Sequence, residues 1–202
     1  HPCPAQIEDA KCARHWVRSN ADKYHSDPEH IGASGGSAGG HLSLMLGACD
    51  ESAGFEGRGG HADRSSRVQA VVNYFGPTDL ASAHETTVDR ARPAFEGLFG
   101  YPPDAALEAY KAASPVTYLT KDDPPILTLH GGDDKIVLVV QAKRLDAKAG
   151  EAGVPHTLVI LEGQGHGFKD PVRNEAREQM FEFFDKHLKS REEKTRREGT
   201  SE

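Results

Sequence analysis

The stretch Ile31-Gly-Ala-Ser-Gly-Gly-Ser-Ala-Gly-Gly-His-Leu-Ser-Leu-Met-Leu46 is the most informative part of this chain. Within it, Gly35-Gly-Ser-Ala-Gly39 fits the pattern G-x-S-x-G, a sharp turn from a strand into a helix that exposes the serine as a nucleophile. Small residues flank such a serine because neighbouring backbone approaches closely and the serine itself is strained. The turn also aims the first N–H groups of the helix at any negative charge beside the serine.

A second match to the same pattern, Gly32-Ala-Ser-Gly-Gly36, overlaps the first and would make Ser34 the nucleophile. Ser34 would lie inside the strand, and the two glycines that follow it begin a helix poorly. Ser37 comes directly before an uninterrupted amphipathic segment, as the turn requires. The sequence therefore predicts Ser37 as the nucleophile.

The chain has 202 residues and a formal net charge of −7. This length suits one domain with a substantial core, and the acidic balance argues against a nucleic-acid partner. The sequence contains no apolar run of membrane-spanning length, and its pattern does not lead us to expect a signal peptide. Because the first residue is His1 rather than Met, we expect that the natural N-terminus is missing.

The three cysteines, Cys3, Cys12 and Cys49, are not spaced as zinc ligands, and neither are the histidines. Cys12 and Cys49 fall in apolar stripes of predicted helices, which indicates buried free thiols. The sequence thus predicts neither a metal nor another cofactor.

Hydrophobic periodicity predicts strands that alternate with helices, and this order implies a parallel sheet with helices on its faces. The predicted strands are 31–34, 68–75, 125–130 and 156–161. The predicted helices are 5–21, 38–49, 104–113, one that starts near 138 and closes at Gly150 or Gly153, and 172–189.

Apolar spacing also predicts which face of two helices is buried. In the helix over 5–21 we expect four buried apolar residues and four exposed charged ones: Ile7, Ala10, Ala13 and Val17 inside, and Glu8, Lys11, Arg14 and Arg18 outside. In the last helix we expect six buried residues: Val172, Ala176, Met180, Phe183, Phe184 and Leu188.

Three segments make up the predicted domain organisation. Residues 1–189 form one α/β domain, and within it residues 78–123 lack strand patterning and are broken by prolines. We expect this stretch to be a small, cap-like insertion over one edge of the sheet. Residues 190–202 are nearly all charged or small, which predicts a disordered tail.

A serine hydroxyl needs a base within hydrogen-bond reach, and the base needs a carboxylate that orients it. Asp133 and Asp134 follow the strand at 125–130, and His166 follows the strand at 156–161. In a parallel sheet these loops meet at the same carboxyl edge as the turn at Ser37. We therefore expect Ser37, one of the two aspartates and His166 to converge, with spacing favouring Asp134 only slightly.

Three other polar residues are candidates for the neighbourhood of this site. His130 ends a strand and is expected to be a structural hydrogen-bonding residue. His41 lies one turn into the helix after Ser37 and is expected to pack rather than react. Asp79 either forms a turn or borders the pocket.

Six segments together resemble the α/β-hydrolase superfamily, in particular the bacterial esterase and lipase branch that includes hormone-sensitive-lipase-like, feruloyl and acetyl-xylan esterases. The resemblance extends from Pro4 to about Leu188. The segments are Pro4-Ala-Gln-Ile-Glu-Asp9, Gly36-Ser-Ala-Gly-Gly-His41, Tyr74-Phe-Gly-Pro-Thr-Asp79, Ser114-Pro-Val-Thr117, Pro124-Pro-Ile-Leu with His130-Gly, and Gly163-Gln-Gly-His-Gly-Phe168.

The resemblance implies Ser37 as nucleophile, His166 as base and the backbone N–H of Ala38 as one oxyanion donor. Its His-Gly-x-x-Asp pattern implies Asp134, rather than Asp133, as the orienting acid. Such enzymes carry roughly four further strands before the first helix seen here, including a glycine-rich loop with the second oxyanion donor. We therefore expect this chain to be the C-terminal portion of an esterase, with the strand at 31–34 at a sheet edge.

A minor departure from the family pattern is Leu138, where the family often has Pro.

The function implied is a serine carboxylic ester hydrolase that forms an acyl-enzyme on small or carbohydrate-linked esters. One alternative is a serine peptidase of the prolyl-oligopeptidase type. Another is a truncated, catalytically impaired hydrolase that acts only as a binding module for a partner or a small molecule. The sequence specifies neither the oligomeric state nor the compartment.

Overall fold

The computed structural model describes residues 1–61 and 64–189. Its centre is a sheet of four parallel strands in the order β1-β2-β3-β4, as the alternating pattern predicts. The register places Ser34 opposite Val72, and Leu127 opposite both Val72 and Thr157. The strands are β1, Gly32–Gly36; β2, Ala70–Tyr74; β3, Ile126–Gly131; and β4, His156–Leu161.

Eight α-helices connect or flank these strands in the described ranges: α1, Ala5–Ser19; α2, Ala21–Tyr24; α3, Ala38–Ala48; α4, Leu80–Thr86; α5, Arg92–Phe99; α6, Pro103–Ala112; α7, Val140–Ala152; and α8, Val172–Leu188. Short 3-10 turns occupy Glu51–Ala53, Asp89–Ala91 and Pro115–Thr117. The regular structure of the stretch 78–123 consists of helices and 3-10 turns alone. The predicted tail at 190–202 lies outside the described residues. Among the described helices, none is both long and apolar enough to cross a bilayer.

Helices cover both faces of the sheet. Successive side chains along a strand point to opposite sides, so that apolar strand residues on each face need a helix to bury them. Val72 and Leu129 pack with Ala176 of α8 on one face. Val71 packs with Leu44 of α3 and Leu145 of α7 on the other. The predicted architecture, a parallel sheet between helical layers, is confirmed.

Element boundaries differ from prediction by a few residues where glycine and turn geometry intervene. Strand β1 continues to Gly36 because Gly35 and Gly36 pair with Asn73 and Tyr74 of β2. Within the described residues, β1 is an edge strand, as expected. Helix α7 ends before Gly153, whose φ of 78° is a left-handed cap.

Helix α1 is rotated relative to the predicted orientation. Ile7 is buried as expected, but Lys11 and Arg14 are also buried, with exposed fractions of 0% and 5%. Ala13 is exposed, and so is Trp16, at 44%. The assignment of Lys11 and Arg14 to the outer face, and of Ala13 to the inner one, was therefore wrong.

The cause is a polar cluster under α1 that is formed by distant parts of the chain. The Lys11 ammonium donates to the Cys49 carbonyl at 2.7 Å, to Glu56 Oε1 at 2.6 Å and to Ser66 Oγ at 2.9 Å. His15 Nε2 lies 2.8 Å from the other Glu56 oxygen. Burial opposes ionisation of Glu56, yet the contacts with Lys11 hold the pKa of this carboxyl below its usual value. The buried Lys11 ammonium is tolerated here because it has three hydrogen-bond partners, one of them a carboxylate.

Helix α8 is less buried than its apolar spacing suggests. Of the six residues predicted to be inside, only Ala176 is fully buried, and the others are half-buried. The helix lies against the sheet closely enough that a Cβ on Gly32 would come 2.5 Å from the Phe184 ring. Phe181, on the outer side, is 52% exposed.

Replacing Lys11 with methionine should destabilise the fold, because it leaves the Cys49 carbonyl and Glu56 with fewer partners. We expect Lys11→Met to lower the free energy of unfolding by about 2–3 kcal/mol, measured by urea denaturation. The matched control is Lys111→Met, since Lys111 and its partner Glu108 are both exposed. That change should cost less than about 0.5 kcal/mol, and equal losses for the two variants would contradict the role of the buried cluster.

Candidate active site

Ser37 occupies the sharp turn between β1 and α3. Its φ of 55° and ψ of −119° are strained for a residue with a side chain. The Ser37 N–H donates to the Tyr74 carbonyl at 2.9 Å, and the Ser37 carbonyl accepts from the His41 N–H at 3.1 Å. Ser34 lies inside β1 instead. Of the two serines that match the pattern, only Ser37 has the geometry of the turn.

The glycines around Ser37 differ in how strongly the structure requires them. A Cβ on Gly35 would lie 2.4 Å from the Gly39 carbonyl carbon, and one on Gly40 would lie 2.4 Å from Asn73 Oδ1. A Cβ on Gly39 would meet nothing within 4 Å. The expectation that small residues are required around the serine therefore holds for Gly35, which precedes it. On the other side of the serine, the residue that must be small is Gly40 rather than Gly39.

The loop after β4 brings His166 against the serine. His166 Nε2 lies 2.8 Å from Ser37 Oγ, and His166 Nδ1 lies 2.8 Å from Asp134 Oδ2. The Asp134 side chain comes from the loop after β3 and is fully buried. The three residues, widely separated in sequence, thus form one continuous hydrogen-bonded chain at the carboxyl edge of the sheet.

Asp134 also holds its own loop. Its Oδ1 accepts the N–H groups of Ile136 at 2.8 Å and Val137 at 3.0 Å, while Oδ2 faces His166. Asp133 is exposed to solvent. Of the two aspartates that spacing left nearly open, Asp134 is the one whose carboxylate contacts the His166 ring.

His130, at the end of β3, is completely buried next to this carboxylate. Its Nε2 lies 2.7 Å from the Val137 carbonyl and 3.5 Å from Asp134 Oδ2. Burial lowers the pKa of His130, and its Nδ1 has no hydrogen-bond partner among the described residues. These observations identify a neutral imidazole that donates from Nε2, the structural role predicted for it.

His41 and Asp79 have structural contacts of their own. His41 Nε2 donates to the Ala113 carbonyl at 2.7 Å, which ties α3 to the segment 78–123. Burial lowers the pKa of His41, so this imidazole is neutral near pH 7. Asp79 caps α4 by accepting the Ser82 N–H and pairs with Arg144. Asp79 is therefore a turn-forming residue, and the alternative that it borders the pocket is not supported.

Sequence reasoning missed an aromatic group beside the imidazole. The Phe75 ring lies edge-on to His166 at 4.9 Å and to Phe168 at 5.1 Å. Phe75 has a φ of 42°, so a strained residue directly follows β2 as well as β1. The only sequence signal for this conformation is the Gly76-Pro77 turn that comes next.

A cavity of about 210 Å³ opens beside Ser37. Ala38 also lines it, and as the first residue of α3 it has an N–H without a partner inside the helix. Most of the rest of the wall comes from α1, α3, the segment 78–123 and the loop after Asp134, and Cys3 and Pro77 complete it. Representative members are Ile7, Leu42, Leu80, Phe95, Phe99 and Val137.

The three cysteines do not form a metal-binding cluster with other side chains in the part of the chain that the structure describes. Cys3, Cys12 and Cys49 are free thiols, and Cys12 is half-buried rather than fully buried. Within 1–61 and 64–189, no three His, Cys, Asp or Glu side chains converge as metal ligands would.

The sequence matches the BD-FAE family over residues 1–149. Among curated proteins, it is 36% identical over 141 residues to the probable carboxylic ester hydrolase LipM of Mycobacterium tuberculosis, covering 69% of this chain and 32% of LipM. The chain spans about a third of the length of the curated relatives LipM and LipQ.

Two solved structures show the same fold. A truncated carbohydrate esterase from gut microbiota superposes with a TM-score of 0.83 at 34% identity, over 92% of this chain and 69% of that one. An acetyl ester-xyloside bifunctional hydrolase from Caldicellulosiruptor lactoaceticus gives a TM-score of 0.74 at 28% identity, over 90% and 66%.

The unequal crowding of the glycines can be tested by a matched pair of alanine substitutions. Gly35→Ala forces a methyl group into the Gly39 backbone and should lower the melting temperature by at least about 8 °C, equivalent to roughly 2–3 kcal/mol. Gly39→Ala enters open space within a helix and should leave stability unchanged or raise it by up to about 1 kcal/mol. Differential scanning calorimetry compares the melting temperatures of the two variants. Similar decreases would contradict the difference in crowding between Gly35 and Gly39.

Proposed function

This chain belongs to the BD-FAE family, and on that premise we propose that it contains the catalytic centre of a serine carboxylic ester hydrolase. The observation that supports the proposal is the chain of two 2.8 Å contacts from Ser37 Oγ through the His166 ring to Asp134 Oδ2. Curated relatives named as ester hydrolases, and structural neighbours named as carbohydrate and acetyl ester hydrolases, support small or carbohydrate-linked esters as substrates.

The proposed reaction begins at Ser37 Oγ. Its proton passes to His166 Nε2 as the oxygen attacks the ester carbonyl carbon, and a tetrahedral intermediate forms. The imidazolium then gives this proton to the departing alkoxide, which leaves an acyl group on Ser37. A water molecule, deprotonated by the same nitrogen, releases the acid and restores the serine.

Asp134 is proposed to set the tautomer of His166. Because its Oδ2 accepts the proton on Nδ1, the Nε2 lone pair stays directed at Ser37, and the imidazolium that forms lies beside a negative charge. The amides of Ile136 and Val137 anchor the other oxygen, so the carboxylate cannot turn away.

The Ala38 N–H is proposed as one oxyanion donor, at the positive end of α3. A single donor supplies only part of the stabilisation, since each is worth about 100–1000-fold in turnover. Covalent capture of Ser37 is therefore a more direct test of this chain than ester turnover.

We further propose that residues 1–189 form an α/β-hydrolase unit in which 78–123 acts as a small cap. This segment contributes Leu80, Phe95 and Phe99 to the cavity beside Ser37. The His41–Ala113 hydrogen bond attaches it to the helix that follows the nucleophile.

Exposure to a fluorophosphonate probe should produce one adduct on the chain, detected as a single mass increase in the intact protein. Ser37→Ala should abolish the adduct because it removes the nucleophilic oxygen. Ser34→Ala is the matched control three residues away, and it should react like the parent. Labelling that persists in Ser37→Ala would overturn the assignment of the nucleophile.

Replacing Asp134 with asparagine should slow the same labelling by at least about 100-fold. An amide at this position donates to Nδ1 and leaves Nε2 protonated, so the imidazole can no longer accept the serine proton. The neighbouring change Asp133→Asn affects an exposed side chain and should leave the rate within about twofold. Equal rates for the two variants, in folded samples checked by circular dichroism, would contradict the role of Asp134.

A further inference from the structure

We infer that the cavity beside Ser37 is the acyl pocket and that it selects uncharged aliphatic acyl groups of intermediate length over acetyl. This inference rests on the proposed function, because it assigns the two sides of an ester that reacts at Ser37. Three properties of the cavity support it: its position relative to His166, the chemistry of its wall and its volume.

The position of the cavity distinguishes the acyl side from the alcohol side. The departing oxygen must lie near His166 Nε2, since it receives its proton from that atom. The cavity wall contains Ser37, Ala38 and Leu42 but not His166 or Phe75. The group that enters the cavity therefore contacts side chains of α1, α3, the segment 78–123 and the loop after Asp134, and not the imidazole. For an ester whose alcohol faces His166, that group is the acyl chain.

The wall of the cavity is apolar and holds no formal charge. No Asp, Glu, Lys or Arg is among its lining residues, and Gln6, Cys3 and His41 are its polar members apart from Ser37. Burial raises the pKa of the Cys3 thiol to about 11 and lowers the pKa of His41, so both are neutral near pH 7. A carboxylate or ammonium group on the acyl chain would lose its hydration here without gaining a partner.

The volume indicates the length of alkyl chain that the cavity can cover. At roughly 30 Å³ for each water-sized group, the cavity of about 210 Å³ holds about seven such groups. An acetyl group would leave most of this apolar space unfilled, whereas an alkyl chain of about five to seven carbons would fill it. Each added methylene gains favourable transfer from water until the space is used.

Helix α5 supplies the part of the wall that can be altered with least risk to the fold. Ala94, Phe95 and Leu98 of this helix line the cavity, and Ala94 is itself largely exposed. A larger side chain at Ala94 should shorten the pocket without disturbing the buried core.

A series of n-alkylboronic acids, from methyl to decyl, tests the inference on the whole chain. Ser37 Oγ adds to boron, its proton passes to His166, and the product is a tetrahedral boronate that keeps both hydroxyl groups and the alkyl chain. The alkyl group takes the place of the acyl chain and no alcohol group is present, so the series examines one side of the site. Isothermal titration calorimetry gives the dissociation constants.

We expect affinity to rise roughly fourfold per methylene up to about six or seven carbons, and then to level off or fall. Ala94→Phe should weaken hexylboronic acid by at least about tenfold and leave methylboronic acid nearly unchanged. Ala109→Phe, an equal change at an exposed position on α6 away from the cavity, should leave the whole series unaltered.

The outcomes separate the inference from the function on which it rests. Serine-dependent binding that is independent of chain length, or that Ala94→Phe does not alter, would overturn the acyl pocket and leave the nucleophile standing. Boronic acids that bind equally well to the parent chain and to Ser37→Ala, or to neither, would overturn both the pocket and the proposed function.

Discussion

The conformation of Ser37 is the constraint on which the rest of the site depends. A serine at positive φ is unfavourable in isolation, so the surrounding structure has to hold it there. The Tyr74 carbonyl accepts the Ser37 N–H, and Gly35 and Gly40 let the backbones of strand and helix approach closely. Asn73, at the end of β2, fills the space beside Gly40 and accepts the Gly76 N–H at 2.9 Å. The turn that presents the serine and the turn that follows β2 therefore brace each other.

Around Asp134, too, the same hydrogen bonds stabilise a loop and position a residue of the site. A buried carboxylate is costly unless its oxygens are hydrogen-bonded, and here two amides of its own loop and the His166 ring satisfy them. His130 also stabilises that loop, because its Nε2 donates to the Val137 carbonyl. Because these contacts shape the loop and orient the imidazole together, the fold of this edge of the sheet and the geometry of the site cannot be separated.

The two sides of Ser37 differ in chemistry. On the α3 side, the segment 78–123 and helix α1 line an apolar cavity. On the His166 side, Phe75 and Phe168 form an aromatic surface next to the imidazole. Ser37 thus lies between an apolar cavity and an aromatic surface, and under the proposed function an ester bound across it would place its two halves in unlike surroundings.

Local patterns in the chain were enough to identify the four strands, five of the eight α-helices in the described residues and the turn at Ser37. The parallel order of these strands then placed Ser37, an aspartate and His166 at one edge, because the carboxyl ends of parallel strands lie together. The structure had to distinguish Asp134 from Asp133, since this choice depends on amides that lie close only after the loop folds. The structure also corrected part of the predicted face of α1, because it buries Lys11 among distant groups. Two of its partners, Glu56 and Ser66, lie 45 and 55 residues away along the chain. Periodicity records how apolar a face is, whereas burial of a charged side chain depends on distant groups that only the tertiary structure brings within hydrogen-bond distance.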